Sequence, residues 1–256
     1  MKTALVFSAG GMFGAWQAGA WKVCAEYFQP DLIVGASIGS LNGWLVAGGS
    51  TPEELAKYWM EFSGSGPLRM RIPRSPGGGW MDTRQMETAI RELYRSTQPR
   101  MDYALVVTDL MRMRPRIFSG GEITESHLLA SCALPLIFDQ PKIEGRFYSD
   151  GGLLAALPVW AAAELGADRI LALNAMPHQP SRLVYLAGQA MRKVAPWRPT
   201  VADHVEVIRI QPDSALGGFN AMMNWHPDRV REWIRQGEQD AKMQLQQNKT
   251  FRSQMF

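Results

Sequence analysis

The pentapeptide Gly35–Gly39, which directly follows the apolar run Leu32–Val34, constrains the fold more than any other part of the chain. In the pattern Gly-x-Ser-x-Gly, a strand turns sharply into a helix. The glycines let the two elements approach closely, and the serine side chain is held outside the turn. Ser37 is that serine. The pattern also occurs by chance in sequences rich in glycine and alanine, so its meaning depends on the residues around it.

Hydrophobic patterning predicts strands that alternate with helices. The predicted strands are Ala4–Phe7, Asp31–Val34, Tyr103–Thr108, Ile170–Asn174 and Val205–Ile210, the last of them either an alternating or an edge strand. The predicted helices are Gly14–Tyr27, one after Ser37, Thr51–Phe62, Asp82–Tyr94, Pro158–Leu165, and one with Val230, Trp233, Ile234, Gly237 and Ala241 on one face. We find no internal repeat and no linker. Residues 1–256 are therefore predicted to form a single α/β domain with a mainly parallel central sheet flanked by helices.

Composition excludes several classes of protein. A chain of 256 residues with 46% hydrophobic residues can bury a substantial core, and a formal charge of +3 is too small to indicate a nucleic-acid partner. Cys24 and Cys132 are too few for a disulfide framework and are interpreted as buried thiols of a reducing compartment. The N-terminal apolar run is too short for a signal peptide, and no run reaches about 18 apolar residues. We therefore expect a cytoplasmic protein, any membrane contact being peripheral.

A second glycine-rich segment, Ser8–Gly14, lies between the first predicted strand and helix. Its backbone N–H groups at a helix N-terminus make an anion site. As a dinucleotide-binding loop it would place Ala9, Gly11 and Gly14 at the glycine positions of G-x-G-x-x-G, but the second strand then lacks the acidic residue that binds ribose. As an oxyanion hole it would face Ser37, because consecutive parallel strands end on the same side of the sheet. The second interpretation uses both glycine motifs together.

A nucleophilic serine needs a base, and the usual histidine is hard to find. None of the four histidines lies in a recognisable catalytic context: His127, His178, His204 and His226. Asp150 is different, because it ends strand-like aromatic sequence within Arg146–Gly152 and two glycines follow it. A carboxylate there can accept the serine proton directly, provided burial raises its pKa toward working pH. Alternatively, Asp-Gly-Gly is a turn that closes a loop.

In this order, the glycine-rich loop, the early Gly-x-Ser-x-Gly and the distant Asp-Gly-Gly resemble the patatin-like phospholipases. These are serine lipid acyl hydrolases that work with a Ser-Asp dyad. The resemblance covers nearly the whole chain. Gly35–Gly43 is similar to the family's elbow and the helix behind it, Ala130–Phe138 to the stretch before its aspartate strand, and Val107–Leu110 to the end of its central strand. Three ordered motifs are far more specific than one of them.

The resemblance implies a role for each matching residue. Ser37 would be the nucleophile, and Asp150 the base that activates it and later the hydrolytic water. The backbone N–H groups of Gly10, Gly11 and Met12 would form the oxyanion hole, with no metal or organic cofactor. The remaining motif glycines would permit tight turns: Gly14, Gly35, Gly39, Gly151 and Gly152. The implied substrate is a lipid or acyl ester, cleaved through an acyl-enzyme by a phospholipase, lysophospholipase or carboxylesterase reaction.

Three residues depart from the family's pattern. Ala9 replaces the first glycine of the loop, Phe13 stands where lysine or arginine is usual, and Ala156 where asparagine is common. A backbone oxyanion hole survives these changes, but the lost charge at Phe13 puts a preference for strongly anionic substrates in doubt. Two other functions stay open: nucleotide binding by the Ala9–Gly14 loop, and a catalytically silent lipid-binding protein. The α/β-hydrolase fold fits less well, since several strands normally precede its elbow.

Two segments bear on how a lipid would reach the site. Residues 63–80 are rich in glycine and proline and carry Arg69, Arg71 and Arg74 without an acidic residue, so they are either a flap that meets an anionic membrane or a solvated loop. Residues 183–194 predict a basic amphipathic helix that either contacts a membrane or packs on the sheet. The sequence indicates no head group, acyl chain length or oligomeric state.

Overall fold

The computed structural model describes residues 1–62, 70–72, 78–178, 189, 193 and 195–247 of the chain. The strands are β1 (Thr3–Phe7), β2 (Leu32–Ala36), β3 (Asp102–Asp109), β4 (Arg114–Ser119), β5 (Lys142–Ile143), β6 (Arg146–Ser149), β7 (Arg169–Leu173) and β8 (Glu206–Ile210). The α-helices are α1 (Gly14–Cys24), α2 (Ile38–Ala47), α3 (Pro52–Met60), α4 (Arg84–Ser96), α5 (Glu125–Ser131), α6 (Val159–Glu164), α7 (Phe219–Met223) and α8 (Pro227–Gln247). Two short 3-10 turns, Gly11–Phe13 and Gly120–Glu122, precede α1 and α5.

The strands form one mixed sheet in the order β5-β6-β3-β2-β1-β7-β8, and β4 pairs with β3. The pairs among β1, β2, β3, β7 and β8 are all parallel, whereas β4, β5 and β6 pair antiparallel. β8 lies at an edge, which is one of the two alternatives that the sequence leaves open. The predicted single α/β domain with a mainly parallel sheet is confirmed.

Helices bury both faces of the parallel strands. Leu5 and Phe7 of β1 lie in a core that contains residues of α1, α2, α3 and α8, whereas Ala4 and Val6 lie in a second core with residues of α6. Alternate residues of a strand point to opposite faces of the sheet. Because both faces of β1, β2, β3 and β7 are covered, these strands have largely continuous apolar sequences, and this is why their positions could be predicted; in β8, at the edge, buried and exposed residues are interspersed.

Two helices end two or more residues earlier than predicted. α1 ends at Cys24 rather than Tyr27, because the next residues form i→i−3 hydrogen bonds, from Glu26 N–H to Val23 O and from Tyr27 N–H to Cys24 O. Such bonds tighten the last turn of a helix. α3 ends at Met60 rather than Phe62.

The predicted start of α3 is confirmed in detail. The Glu54 N–H donates to Thr51 Oγ1 over 3.1 Å, and the Thr51 N–H donates to Glu54 Oε2 over 2.8 Å. These two bonds form a capping box, which satisfies donors that a helix N-terminus otherwise leaves unpaired.

The sequence patterns miss β4, β5, α5 and α7. These elements are short, and β4 contains Pro115, which cannot donate a backbone hydrogen bond. β4 tolerates proline because it pairs with β3 along one side, over Ala104–Asp109. β5, α5 and α7 have only two, seven and five residues, which is too short for a strand or helix period to be detected.

The position of β6 brings the Asp-Gly-Gly segment to the end of β2. β2 pairs with β3 from Asp102 to Val106, and β4 also pairs with Ala104–Val106, so β2 and β4 lie on opposite sides of β3. Thr108 pairs with both β4 and β6, so β6 lies on the β2 side. β6 therefore occupies the edge of β3 just beyond the end of β2.

Two predicted segments lie largely outside the described residues. Of the predicted flap 63–80, the structure describes 70–72 and 78–80, and of the predicted helix 183–194 it describes residues 189 and 193. Among the residues it does describe, no helix is long and apolar enough to cross a bilayer.

Candidate active site

Ser37 occupies a sharp turn between β2 and α2. Its backbone angles, φ 54° and ψ −131°, lie in a region that side-chain-bearing residues seldom adopt and that costs about 1–3 kcal/mol. Neighbouring groups hold this conformation. The Ser37 N–H donates to Ser131 Oγ over 3.0 Å, and the Ser37 carbonyl accepts from Ser40 Oγ over 2.6 Å. The predicted strand, tight turn and helix are thus all present.

The glycines of the turn are required by close packing. A Cβ on Gly35 would lie 2.3 Å from the carbonyl oxygen of Gly39. A Cβ on Gly39 would lie 2.5 Å from the carbonyl oxygens of Phe7 and Ser8. α2 therefore begins against the end of β1, where the glycine-rich loop starts.

Asp150 contacts Ser37 directly, although 113 residues separate them in the chain. Ser37 Oγ donates to Asp150 Oδ2 over 2.5 Å, and the two residues are only 7% and 2% exposed. The other carboxylate oxygen, Oδ1, accepts the Gly152 N–H over 2.7 Å. Burial raises the Asp150 pKa to about 7, against the opposing effect of its hydrogen bonds with Ser37 and Gly152.

Ser131 bonds to both sides of this pair. Its Oγ accepts the Ser37 N–H and donates to the Val106 carbonyl over 2.8 Å, while its own carbonyl accepts the Gly151 N–H over 3.1 Å. Sequence reasoning missed Ser131. The residue lies in the Ala130–Phe138 segment that carries part of the resemblance, but nothing in its type marks it as a contact of Ser37.

The glycine-rich loop packs against the turn that contains Asp150. The Ala9 N–H donates to the Ala156 carbonyl over 2.8 Å, and a Cβ on Gly152 would lie 2.4 Å from the Ala9 Cβ. Gly151 is also constrained, because its Cβ would lie 2.0 Å from the Val106 carbonyl oxygen. Two of the departures from the family's pattern, Ala9 and Ala156, are therefore in contact with each other through the backbone.

Three backbone donors of this loop have no acceptor within the described part of the chain. They are the N–H groups of Gly10, Gly11 and Met12. Gly11 has φ 55°, and its 3-10 turn leads into α1 at Gly14. Free N–H groups at the start of a helix are suited to bind an anionic oxygen.

A buried network of side chains joins the loop to α2 and α3. Gln17 Nε2 donates to the Ser8 carbonyl over 2.8 Å, and Gln17 Oε1 accepts from Asn42 Nδ2 over 2.9 Å. Asn42 Nδ2 also donates to the Gly14 carbonyl, and Asn42 Oδ1 accepts from Trp59 Nε1. The network fixes the loop relative to the elbow helix. Sequence reasoning missed these polar residues too.

The histidines and cysteines take no part in the Ser37–Asp150 contact. His127 is buried and accepts the Thr124 N–H at the start of α5, whereas the other three are exposed: His178, His204 and His226. Both cysteines are free and buried; burial raises the pKa of the Cys24 thiol to about 12 and also raises that of Cys132. Within the described ranges, no group of three or more His, Cys, Asp or Glu residues is arranged to hold a metal ion.

Phe13 lies in the core beside the site. It is 2% exposed, and its ring packs edge-on against Trp233 with 5.2 Å between centroids. The position where the family usually has a cation thus belongs to the contact between the loop and α8.

Comparisons with known proteins place this geometry in context. The sequence model of the patatin-like phospholipases matches residues 5–163, a span that includes the loop, Ser37 and Asp150. The chain is 27% identical to an uncharacterized NTE family protein of Mycobacterium bovis over 187 residues, 71% of this chain and 51% of that protein. It is also 27% identical to patatin-like phospholipase domain-containing protein 6 of Homo sapiens over 181 residues, 67% of this chain and 13% of the relative. The chain therefore spans about half the length of the first relative and a small part of the second.

Among solved structures, VipD from Legionella pneumophila has a similar fold. The TM-score is 0.52 at 13% sequence identity, and the match covers 96% of this chain and 67% of VipD. At this identity the likeness concerns the fold alone.

Proposed function

Because the chain belongs to the patatin-like phospholipase family, we propose that it is a lipid acyl hydrolase in which Ser37 is the nucleophile and Asp150 the general base. The observation that carries the proposal is the 2.5 Å hydrogen bond from Ser37 Oγ to Asp150 Oδ2, between two buried side chains. A hydroxyl that already donates to a carboxylate is positioned to lose its proton as it attacks a carbonyl carbon.

In the first half of the reaction, Ser37 Oγ attacks the ester carbonyl and its proton passes to Asp150 Oδ2. The resulting tetrahedral oxyanion accepts hydrogen bonds from the N–H groups of Gly10, Gly11 and Met12, each worth about 2.7–4 kcal/mol of transition-state stabilisation. When the intermediate collapses, the C–O bond to the alcohol breaks. The alcohol leaves with the proton from Asp150, and the acyl group stays on Ser37.

In the second half, Asp150 accepts a proton from water as the water attacks the acyl-enzyme. The same backbone donors stabilise the second oxyanion, and collapse returns the proton to Ser37 Oγ as the fatty acid leaves. Asp150 must be ionised at the start of each half. A pKa of about 7 makes it a stronger base than an exposed aspartate while leaving a large ionised fraction at neutral pH.

Fluorophosphonate labelling followed by peptide mapping tests the nucleophile. We expect native protein to be modified at Ser37 and Ser37→Ala to be unmodified and inactive on p-nitrophenyl and lysophospholipid esters. Asp150→Asn should lower turnover of the same esters by about 10³–10⁴-fold, because the serine loses its proton acceptor. Folding of each variant is checked by circular dichroism.

Asp109→Asn is the matched control for Asp150→Asn. Asp109 is another buried aspartate, 2% exposed, at the end of β3, and its Oδ2 pairs with Arg146 rather than with Ser37. This variant should retain ester hydrolysis. A folded Asp150→Asn protein with normal turnover would rule out Asp150 as the general base. Failure to label Ser37 together with saturable stabilisation by NAD or ATP would favour the nucleotide-binding alternative.

A further inference from the structure

Four large apolar side chains are exposed in the described part of the predicted flap and on the segment next to it. Met70, Ile72, Trp80 and Leu136 are 79%, 89%, 51% and 68% exposed. Single exposed apolar residues are ordinary, but a group of them marks a surface that binds a protein, a membrane or a ligand. We refer to these four residues as the apolar tip.

Backbone hydrogen bonds bring the apolar tip together from three segments of the chain. The Arg71 N–H donates to the Trp80 carbonyl over 2.8 Å, and the Trp80 N–H donates to the Leu136 carbonyl, also over 2.8 Å. Met70 and Ile72 flank Arg71 in the chain. The four side chains therefore project from neighbouring backbone.

Asp139 joins the base of the apolar tip to the rest of the domain. Its Oδ2 accepts from Arg71 Nη2 over 2.5 Å, and its Oδ1 accepts the Gly79 N–H over 2.8 Å. The Arg71 side chain is only 17% exposed. The backbone that carries the exposed apolar side chains is thus held by an ion pair in which the Arg71 side chain is largely covered and Asp139 is half exposed.

The apolar tip is also close to the candidate active site. The Ala133 carbonyl accepts the Asp150 N–H over 3.0 Å, and Leu136 follows Ala133 by three residues. Three residues span at most about 11 Å of extended chain. Leu136 therefore lies within about 11 Å of backbone of the residue that contacts Asp150, which places the apolar tip near the Ser37–Asp150 pair.

We propose that the apolar tip inserts into the surface of a lipid aggregate and presents the ester bonds of its lipids to Ser37, an inference that rests on the proposed function. Tryptophan and aliphatic side chains insert into the boundary between water and lipid. The sequence of residues 63–80 also contains Arg69 and Arg74 and no acidic residue, so we expect anionic head groups to strengthen the binding.

A protein partner fits the apolar tip less well than a lipid surface. Four side chains are far fewer than the roughly 20–30 residues that each partner contributes to a standard protein interface. Insertion into lipid needs only a few apolar side chains, since each gains free energy in proportion to the area that it buries.

The test compares vesicle binding and hydrolysis in Ile72→Glu, Leu136→Glu and wild type. Vesicles of phosphatidylcholine with phosphatidylglycerol, and of phosphatidylcholine alone, are sedimented with each protein. We expect wild type to bind the anionic vesicles more tightly, and each variant to lose about tenfold or more in affinity. The ratio of vesicle-lipid hydrolysis to hydrolysis of a water-soluble short-chain ester should fall by a similar factor.

Met243→Glu is the matched control. Met243 is 47% exposed on α8, which packs mainly against α1. Equal binding by wild type and both tip variants would overturn the inference, as would an equal loss in Met243→Glu. A dimer that Ile72→Glu dissociates in the absence of lipid would assign the surface to a second copy instead. Wild type that binds vesicles through the tip but hydrolyses neither substrate contradicts the proposed function alone.

Discussion

Ser37 follows a strand that is buried along its whole length, whereas Asp150 follows one that is half open to solvent. All five residues of β2 are buried, but in β6 Arg146 is partly exposed and Phe147 is 46% exposed. β2 lies between parallel neighbours in the middle of the sheet, while β6 pairs antiparallel with two residues of β3. Ser37 is therefore held by a buried central strand, whereas Asp150 follows a partly exposed strand that pairs with only two residues of β3.

Ser37 and Asp150 are positioned in two different ways. The Ser37 side is built from local sequence: an apolar strand, two glycines and a helix that are adjacent in the chain. The Asp150 side depends on tertiary contacts: the Asp150 N–H donates to Ala133, the Asp150 carbonyl accepts from Thr108 Oγ1, and the Gly151 N–H donates to Ser131. Perturbations that act on tertiary contacts should therefore affect Asp150 before they affect Ser37.

The largest expected effect is on stability, and it concerns Asp150. Its pKa is about 7 in the folded state against an ordinary 3.8, so the folded state binds the proton more tightly. Stability from this group is fully present below pH 3.8 and is lost as pH rises through 7, amounting to about 4 kcal/mol. Asp150→Asn cannot ionise, so its free energy of unfolding should exceed that of wild type at pH 8 by a few kcal/mol and match it near pH 4.

Urea unfolding at the two pH values measures this difference. The Asp109 carboxylate pairs with Arg146, so the free energy of unfolding of Asp109→Asn should not exceed that of wild type at pH 8. If Asp150→Asn were no more stable than wild type at pH 8, burial of the carboxylate would not carry the cost assigned to it.

The second expected effect is on catalysis as a function of pH. In the proposed mechanism Asp150 accepts the Ser37 proton only when ionised, so kcat/KM should fall about tenfold per pH unit below 7 and level off above it. The profile is measured with an uncharged ester from pH 5 to pH 9, a range centred on the Asp150 pKa of about 7. The rate of fluorophosphonate labelling should follow the same curve. A midpoint near the ordinary aspartate value would mean that the carboxylate is solvated during turnover.

The smallest expected effect concerns Ser131, which is hydrogen-bonded to both Ser37 and Gly151. Ser131→Ala removes the acceptor of the Ser37 N–H while leaving the Ser131 carbonyl free to accept from Gly151. We expect kcat to fall about tenfold with little change in KM, and stability to fall by about 1 kcal/mol. Ser131→Thr keeps a hydroxyl and should restore part of kcat. An unchanged kcat in Ser131→Ala would show that Ser37 holds its turn without this contact.

The same contrast explains what could be predicted from the sequence. The strands β1, β2, β3 and β7 are continuous apolar runs, and the elbow has a local signature, so both could be located. Asp150 was predicted as a candidate from its Asp-Gly-Gly context. Its contact with Ser37 rests on the placement of β6, which no local pattern encodes.

Ser131, Gln17 and Asn42 could not be predicted for a related reason. Each is an uncharged polar residue on a helix, and its importance comes from partners outside that helix, such as Val106, Ser8 and Trp59. Buried polar side chains of this kind are common and carry no spacing that distinguishes a positioning role from ordinary core satisfaction.

β2 and β6 pair with the same side of β3, and this limits where residues can be inserted into the domain. β2 takes Asp102–Val106 and β6 takes Thr108 and Asp109, which leaves Val107 between them. One residue inserted into β2 would push the elbow into the space that β6 needs. Insertions should therefore be tolerated in the turns at the opposite end of the sheet and rejected in β2, so homologues are expected to vary in loop length while the distance from Leu32 to Ser37 stays constant.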